Sequence, residues 1–207
     1  MNLALAYQDD DLEERTLEDE RKILARIIGE SPRYTMALPS HPQLKQTEVM
    51  RFLSGHFKEK GLTNGLLLGN AGCGKTFGAL VYAVANAKSW VNVKGDWVVQ
   101  CKFNRAYQLN EAIQRKDWDL LKAATNTPML IIDDLGIESG GYKSADFNAW
   151  FENLFIERHH YGRTTLITSN YTAAQFVEFY GPRIISRLRE TGDVFESKDP
   201  DLRRASA

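Results

Sequence analysis

Gly69-Asn70-Ala71-Gly72-Cys73-Gly74-Lys75-Thr76 fills every position of the pattern G-x-x-x-x-G-K-[ST]. The apolar run Gly65-Leu66-Leu67-Leu68 precedes it, and a small-residue stretch at 76–87 with helical character follows it. This order, strand then glycine loop then helix, is what a phosphate cradle requires. Glycines let the backbone curl so that successive N–H groups point at the phosphates of a nucleotide. The helix start adds the positive end of its dipole. Lys75 supplies a cation for the phosphates, and the Thr76 hydroxyl can ligate Mg²⁺. The phosphates of a nucleotide and Mg²⁺ are therefore the expected ligands, with residues 69–76 as the binding loop. Cys73 reads as a small side chain tolerated in the loop, or as a thiol whose pKa the same N–H field lowers.

Three further segments sit at places that a phosphate site would use. Met129-Leu130-Ile131-Ile132-Asp133-Asp134 is a buried-type strand ending in two acids. Its carboxylates fall at the carboxyl edge of the sheet, where a phosphate loop also opens. Asp133 is placed to hold Mg²⁺ through water, and Asp134 to orient and deprotonate the attacking water. Asp134 stands where Glu is commoner. Leu166-Ile167-Thr168-Ser169-Asn170 ends another apolar strand on an amide. Asn170 either reaches the terminal phosphate or the lytic water, or starts the turn Asn170-Tyr171-Thr172. In Gly181-Pro182-Arg183-Ile184-Ile185-Ser186-Arg187-Leu188-Arg189-Glu190, Pro182 suits a first helical turn and Ile184, Ile185 and Leu188 face inward. Arg183 and Arg187, four apart, share a side. They form a solvated basic face, or they lend a guanidinium to a neighbouring site.

Strands at 65–69, 97–103, 129–133, 164–168 and 193–197 alternate with helical stretches at 43–60, 76–87, 105–125, 144–160, 173–180 and 182–190. That alternation implies an α/β fold with a parallel sheet between two helical layers. Residues 1–40 read as an acidic helical extension and linker, and 41–207 as the main domain. Thr16 is a helix cap, and Leu17, Leu24 and Ile28 lie on one face that packs on the domain or binds a partner. Residues 9–20 carry eight acids and one base, while residues 21–207 carry 25 bases against 19 acids, so a net charge of −1 hides a mildly basic body. With 207 residues, 43% of them apolar, the chain suits one domain with a short extension. Two cysteines exclude a disulfide scaffold. No membrane span and no secretory leader is evident, so a soluble, reducing, cytoplasmic setting is expected.

Together GNAGCGKT, LIIDDLG, TTLITSN and RIISRLRE, over roughly 61–190, resemble the AAA+ ATPases, and within them the bacterial helicase loaders of the DnaC/DnaI type and the IstB-type transposition ATPases. The resemblance implies a three-layer αβα P-loop domain with a five-stranded sheet of order 5-1-4-3-2 and little or no C-terminal lid. ATP would lie between subunits of a ring, spiral or filament. Asn170 would be the sensor residue and Arg187 the arginine finger acting in trans, with Arg183 the second candidate. Arg203 would sense the nucleotide in cis. Single-stranded DNA and a replicative helicase are the implied partners, and an IstB-like coat on duplex DNA serving a transposase is the alternative. Full-length loaders carry a larger helicase-binding region ahead of the core than the 60 or so residues found here. By the same analogy Lys102, Phe103, Arg105, Tyr107, Tyr142 and Lys143 are the DNA-binding candidates. A small-molecule P-loop kinase also fits the length, but it leaves ITSN and SRLRE unexplained. A nucleotide-binding module that hydrolyses little is the remaining class.

Overall fold

The structure, a computed structural model, describes residues 15–29, 31–136 and 145–203. Its elements in chain order are α1 (Leu17–Ile28), α2 (Glu48–Phe52), β1 (Asn64–Gly69), α3 (Lys75–Asn86), β2 (Ser89–Val91), β3 (Trp97–Val99), β4 (Cys101–Arg105), α4 (Ala106–Arg115), α5 (Trp118–Asn126), β5 (Met129–Leu135), α6 (Ala145–His160), β6 (Thr164–Ser169), α7 (Ala173–Tyr180), α8 (Pro182–Thr191) and β7 (Gly192–Ser197). Five strands form one sheet in the order β4-β5-β6-β1-β7, and every neighbouring pair is parallel. Counted among themselves from the β7 edge, these strands run 5-1-4-3-2.

Both faces of the sheet are covered, which is why its central strands read as unbroken apolar runs. Side chains alternate between faces along a strand. Leu67, Ile131 and Leu166 therefore join α1, α2 and α3 in one core. Leu66, Leu68, Leu130, Ile132 and Ile167 meet α4 to α8 in the other. In α6, Phe147, Phe151, Leu154 and Phe155 are buried, and Trp150 is partly so.

Several elements differ from the reading of the sequence. The strand expected at 97–103 is two strands. Trp97–Val99 pairs antiparallel with Ser89–Val91, while Cys101–Arg105 enters the main sheet. Gln100 is the joint: its N–H donates to Lys88 O, and its carbonyl accepts from Met129 N–H. The helix at 43–60 begins only at Glu48, capped by Thr47, and passes through a π-helical segment at Leu53–Phe57. The stretch at 105–125, read as helical in one piece or two, is two helices, divided at Lys116 in the left-handed region.

The stripe on α1 packs on the domain. Ile23, Leu24 and Ile27 are buried, with Leu17 and Ile28 against the same cluster. A reciprocal capping box between Thr16 and Asp19 starts the helix. Arg15 donates to Val84 O and Ala87 O, satisfying carbonyls at the end of α3. Residues 31–41, read as a linker, bury Tyr34, Ala37 and Leu38 in that core. Glu20 accepts from the Ser40 N–H and hydroxyl, which ties the segment back to α1.

Arg158 is fully buried, yet no carboxylate pairs with it among the described residues. Its Nη1 donates to the carbonyls of Ala124, Thr125 and Thr127, its Nη2 to that of Thr164, and its Nε to Thr165 Oγ1. The side chain thus gathers the orphan carbonyls at the end of α5 and the chain entering β5 and β6. Burial, with Arg163 nearby, pulls its pKa down to about 9, so it is still charged at neutral pH. Arg158→Met is expected to cost about 2–4 kcal/mol, because several buried acceptors lose their donor at once. Urea titration checks this as a lower midpoint at unchanged slope.

Candidate nucleotide site

The carboxyl ends of β1, β5 and β6 lie side by side, so everything they carry converges on one edge. From β1 the chain turns through residues 70–74 into α3. Gly72 and Gly74 hold φ of +85° and +88°, conformations that a side chain resists. Lys75 is 5% exposed. Its Nζ donates to Gly69 O at 2.7 Å, Asn70 O at 2.8 Å and Asn170 Oδ1 at 3.0 Å. Burial pulls its pKa below the ordinary lysine range, opposed by Cys73 and by the Asp134 and Asp133 carboxylates. The amide at the end of β6 therefore stands beside the lysine of the loop, 95 residues away in sequence.

Asp133 is 1% exposed. Its Oδ1 accepts from the Thr76 hydroxyl at 2.6 Å and the Thr168 hydroxyl at 2.7 Å. Burial raises its pKa, and Asp134 adds to this, while the two hydroxyls and Arg105 act in the opposite direction. Asp134 adopts φ +56°, and the β5–β6 register shifts between Ile132 and Leu135. This bulge turns Asp134 off the regular pleat. Asp tolerates the left-handed region better than most residues, which gives a backbone reason for Asp where Glu is commoner. The Asp134 N–H donates to Thr168 Oγ1 at 3.0 Å. Its carboxylate makes no hydrogen bond to a described residue, so it remains available.

The donor set fits Mg²⁺ with a polyphosphate. Thr76 spends its proton on Asp133 and keeps its lone pairs, and hard oxygen donors flank a buried ammonium.

The chain after β7 lies across this loop. Leu202 N–H donates to Gly72 O at 3.1 Å. A Cβ at Gly72 would fall 1.9 Å from Asp201 Oδ1 and 3.0 Å from Arg203 Nε. Arg203 is thus at the loop, where its Nε donates to Asp201 Oδ1 at 3.0 Å. Asp199 and Glu48 fasten the same segment to α2: Asp199 accepts from Glu48 N–H, and Glu48 accepts from Lys198 N–H.

The α8 arginines and the expected residues of β4 and α4 make no hydrogen bond to the loop. Arg183 is exposed and pairs with Glu152 at 3.4 Å. Arg187, half-buried on α8, makes no hydrogen bond or ion pair with a described residue. Neither bonds to the 69–76 loop of its own chain. On β4 and the start of α4, Lys102 and Tyr107 are exposed, and Phe103 packs against the core. Arg105 sits opposite Asp133 in the strand register. Tyr142 and Lys143 lie outside the described residues. Cys101 is buried, which pushes its thiol up to about 12 and keeps it protonated. Cys73 is also buried, 3.7 Å from Lys75 Nζ.

Sequence reading missed Thr168 and Asp201. Thr168 was legible as a polar residue inside an apolar strand, two places before the amide. Asp201 had no signal, because only the folded chain brings it back to Gly72.

No protein-family model matches the chain, and no curated protein matches it. Solved structures do. A DnaC helicase loader is 20% identical at a TM-score of 0.59, over 81% of this chain and 100% of that one. DnaI is 20% identical at a TM-score of 0.58, over 83% and 93%. The replication initiator DnaA bound to AMPPCP and single-stranded DNA is 16% identical at a TM-score of 0.54, over 82% of this chain and 51% of DnaA, so the match spans about half of DnaA. In fold, then, the chain is similar to these loaders and initiators, with a parallel five-stranded sheet between two helical layers and a glycine loop between β1 and α3.

Proposed function

We propose that this protein is an ATP-hydrolysing replication accessory factor of the helicase-loader kind, which assembles through its nucleotide sites and contacts single-stranded DNA and a replicative helicase. The observation that carries the reading is the junction of Lys75 with Asn170 beside the Thr76–Asp133 pair. A phosphate cradle, a metal-directed acid and a polar sensor thereby meet at one sheet edge. The DnaA neighbour, solved with a nucleotide analogue and single-stranded DNA, supports the same ligand classes.

In this reading the 69–76 backbone and Lys75 bind the triphosphate. Thr76 and Asp133 would hold Mg²⁺, which when bound would neutralise phosphate charge. Asp134 takes a proton from a water whose oxygen bonds to the γ-phosphorus as the bond to the β-phosphate bridging oxygen breaks. ADP and phosphate leave, and Asp134 returns its proton to solvent. Asn170 orients the water or the terminal phosphate. Arg187, without a partner among the described residues, is supplied to the site of the adjacent protomer, so loss of the γ-phosphate loosens the contact between subunits.

The test is the ATPase rate per protomer against protein concentration, with and without single-stranded DNA. A rate that climbs with concentration and with DNA is expected. A constant, DNA-independent rate from a monomer overturns the assembly reading and favours a stand-alone phosphotransferase. Co-purification with a helicase, set against filament formation on duplex DNA, separates loader from transposition ATPase.

A further inference from the structure

Thr168 is fully buried on β6 and carries no role in the reaction so far described. One hydroxyl there serves both acids. Its proton goes to Asp133 Oδ1 at 2.7 Å, and its oxygen accepts the Asp134 N–H at 3.0 Å. The second bond holds the amide of a non-glycine residue at φ +56°, at the point where the β5–β6 register breaks. A left-handed, bulged residue persists only where its surroundings fix it. The flanking contacts are one-sided: Ser169 Oγ donates to Leu135 O, and Tyr171 hydroxyl to Gly136 O, so both anchor the chain after Asp134. Among the described residues, only Thr168 bonds the Asp134 amide itself.

We propose that Thr168 is a positioning residue that sets both carboxylates at once, Asp133 toward the cation and Asp134 toward the attacking water. The proposal rests on the reading of this edge as an ATP-hydrolysing site and adds to it the element that aims its acids. Thr76 also bonds Asp133, but from the helix that carries the phosphate loop. Among the described residues Thr168 is the one that bonds the Asp133 carboxylate from the sheet, so the acid is held from both the loop helix and β6. The two acids are adjacent in sequence and would point to opposite faces of a regular strand. The bulge that Thr168 secures is what lets both serve one site.

Thr168→Val keeps shape and burial but removes both bonds, and Thr168→Ser keeps the hydroxyl. Turnover of Thr168→Val is expected to fall about tenfold or more, with ATP affinity in the absence of metal within about threefold of the parent. The gain in ATP affinity on adding Mg²⁺ is expected to shrink several-fold, and Thr168→Ser is expected to recover most of both losses. Hydrogen exchange at the Asp134 amide is expected to be slow in the parent and Thr168→Ser and fast in Thr168→Val. Parental turnover and parental Mg²⁺ gain in Thr168→Val overturn the proposal. So does an equal loss of metal-free affinity and turnover, which marks a purely structural residue. If the parent binds ATP but does not turn it over, the hydrolysis reading fails instead. The Mg²⁺ gain and the amide exchange then decide the role of Thr168 by themselves.

Discussion

Lys75→Ala is expected to weaken ATP binding about 30- to 150-fold, because a buried cation set against the phosphates is worth roughly 2–3 kcal/mol in charge-assisted bonds. Lys75 Nζ lies where the loop carbonyls of Gly69 and Asn70 and the amide of Asn170 converge. Its burial means that any phosphate it meets is met largely without water, and this raises the value of the contact. Alanine also strands those acceptors, so part of the loss is a loop that no longer holds its curl. Calorimetry checks the affinity, and a thermal midpoint checks the fold. Asn170→Ala is the graded comparison: it removes one acceptor of Lys75 and leaves the cation, so affinity drops far less than for Lys75→Ala. Parental affinity in Lys75→Ala would mean that nucleotide does not bind in this cradle.

What the sequence made legible follows from how local each signal is. The glycine loop is a contiguous octapeptide whose conformation depends on its own backbone, so its place between β1 and α3 needed no tertiary knowledge. The continuous apolar runs of β1, β5 and β6 announced a sheet covered on both faces, and both cores are there. The split at Gln100 was not legible. Trp97–Val99 and Cys101–Arg105 have the same strand-like composition, and only pairing with different partners separates them. Residues 31–41 looked like a linker because their prolines and polar residues are turn formers. Burial of Tyr34, Ala37 and Leu38 is set by α1 folding back onto α3. The left-handed Asp134 was hidden for a related reason. Its conformation is imposed from β6 through Thr168, and no local pattern in Asp133-Asp134 encodes a bulge.

Arg187→Ala is expected to leave ATP binding near parental while lowering hydrolysis by about a thousandfold, the scale of an arginine supplied to a phosphoryl-transfer site. The fold should tolerate the change. Helix α8 is held by buried Ile184, Ile185 and Leu188, and His159 Nε2 lies 3.4 Å from Glu190 near its end, whereas Arg187 bonds to no described residue. Arg183 makes the contrast, since Glu152 already engages its guanidinium. Arg183→Ala should therefore cost much less.

The decisive experiment mixes Arg187→Ala with Asp134→Asn. Asparagine is the right replacement at 134 because it removes the proton acceptor yet accepts φ +56°, where alanine would add strain of its own. Each variant alone is inactive for a different reason. In a head-to-tail assembly each site takes its acid from one protomer and its guanidinium from the next. An equal mixture then gives about one interface in four with both groups intact, and activity returns to roughly that fraction of the parent. If Arg187 served its own chain, every protomer in the mixture would still lack one group, and no ratio of the two variants would restore turnover.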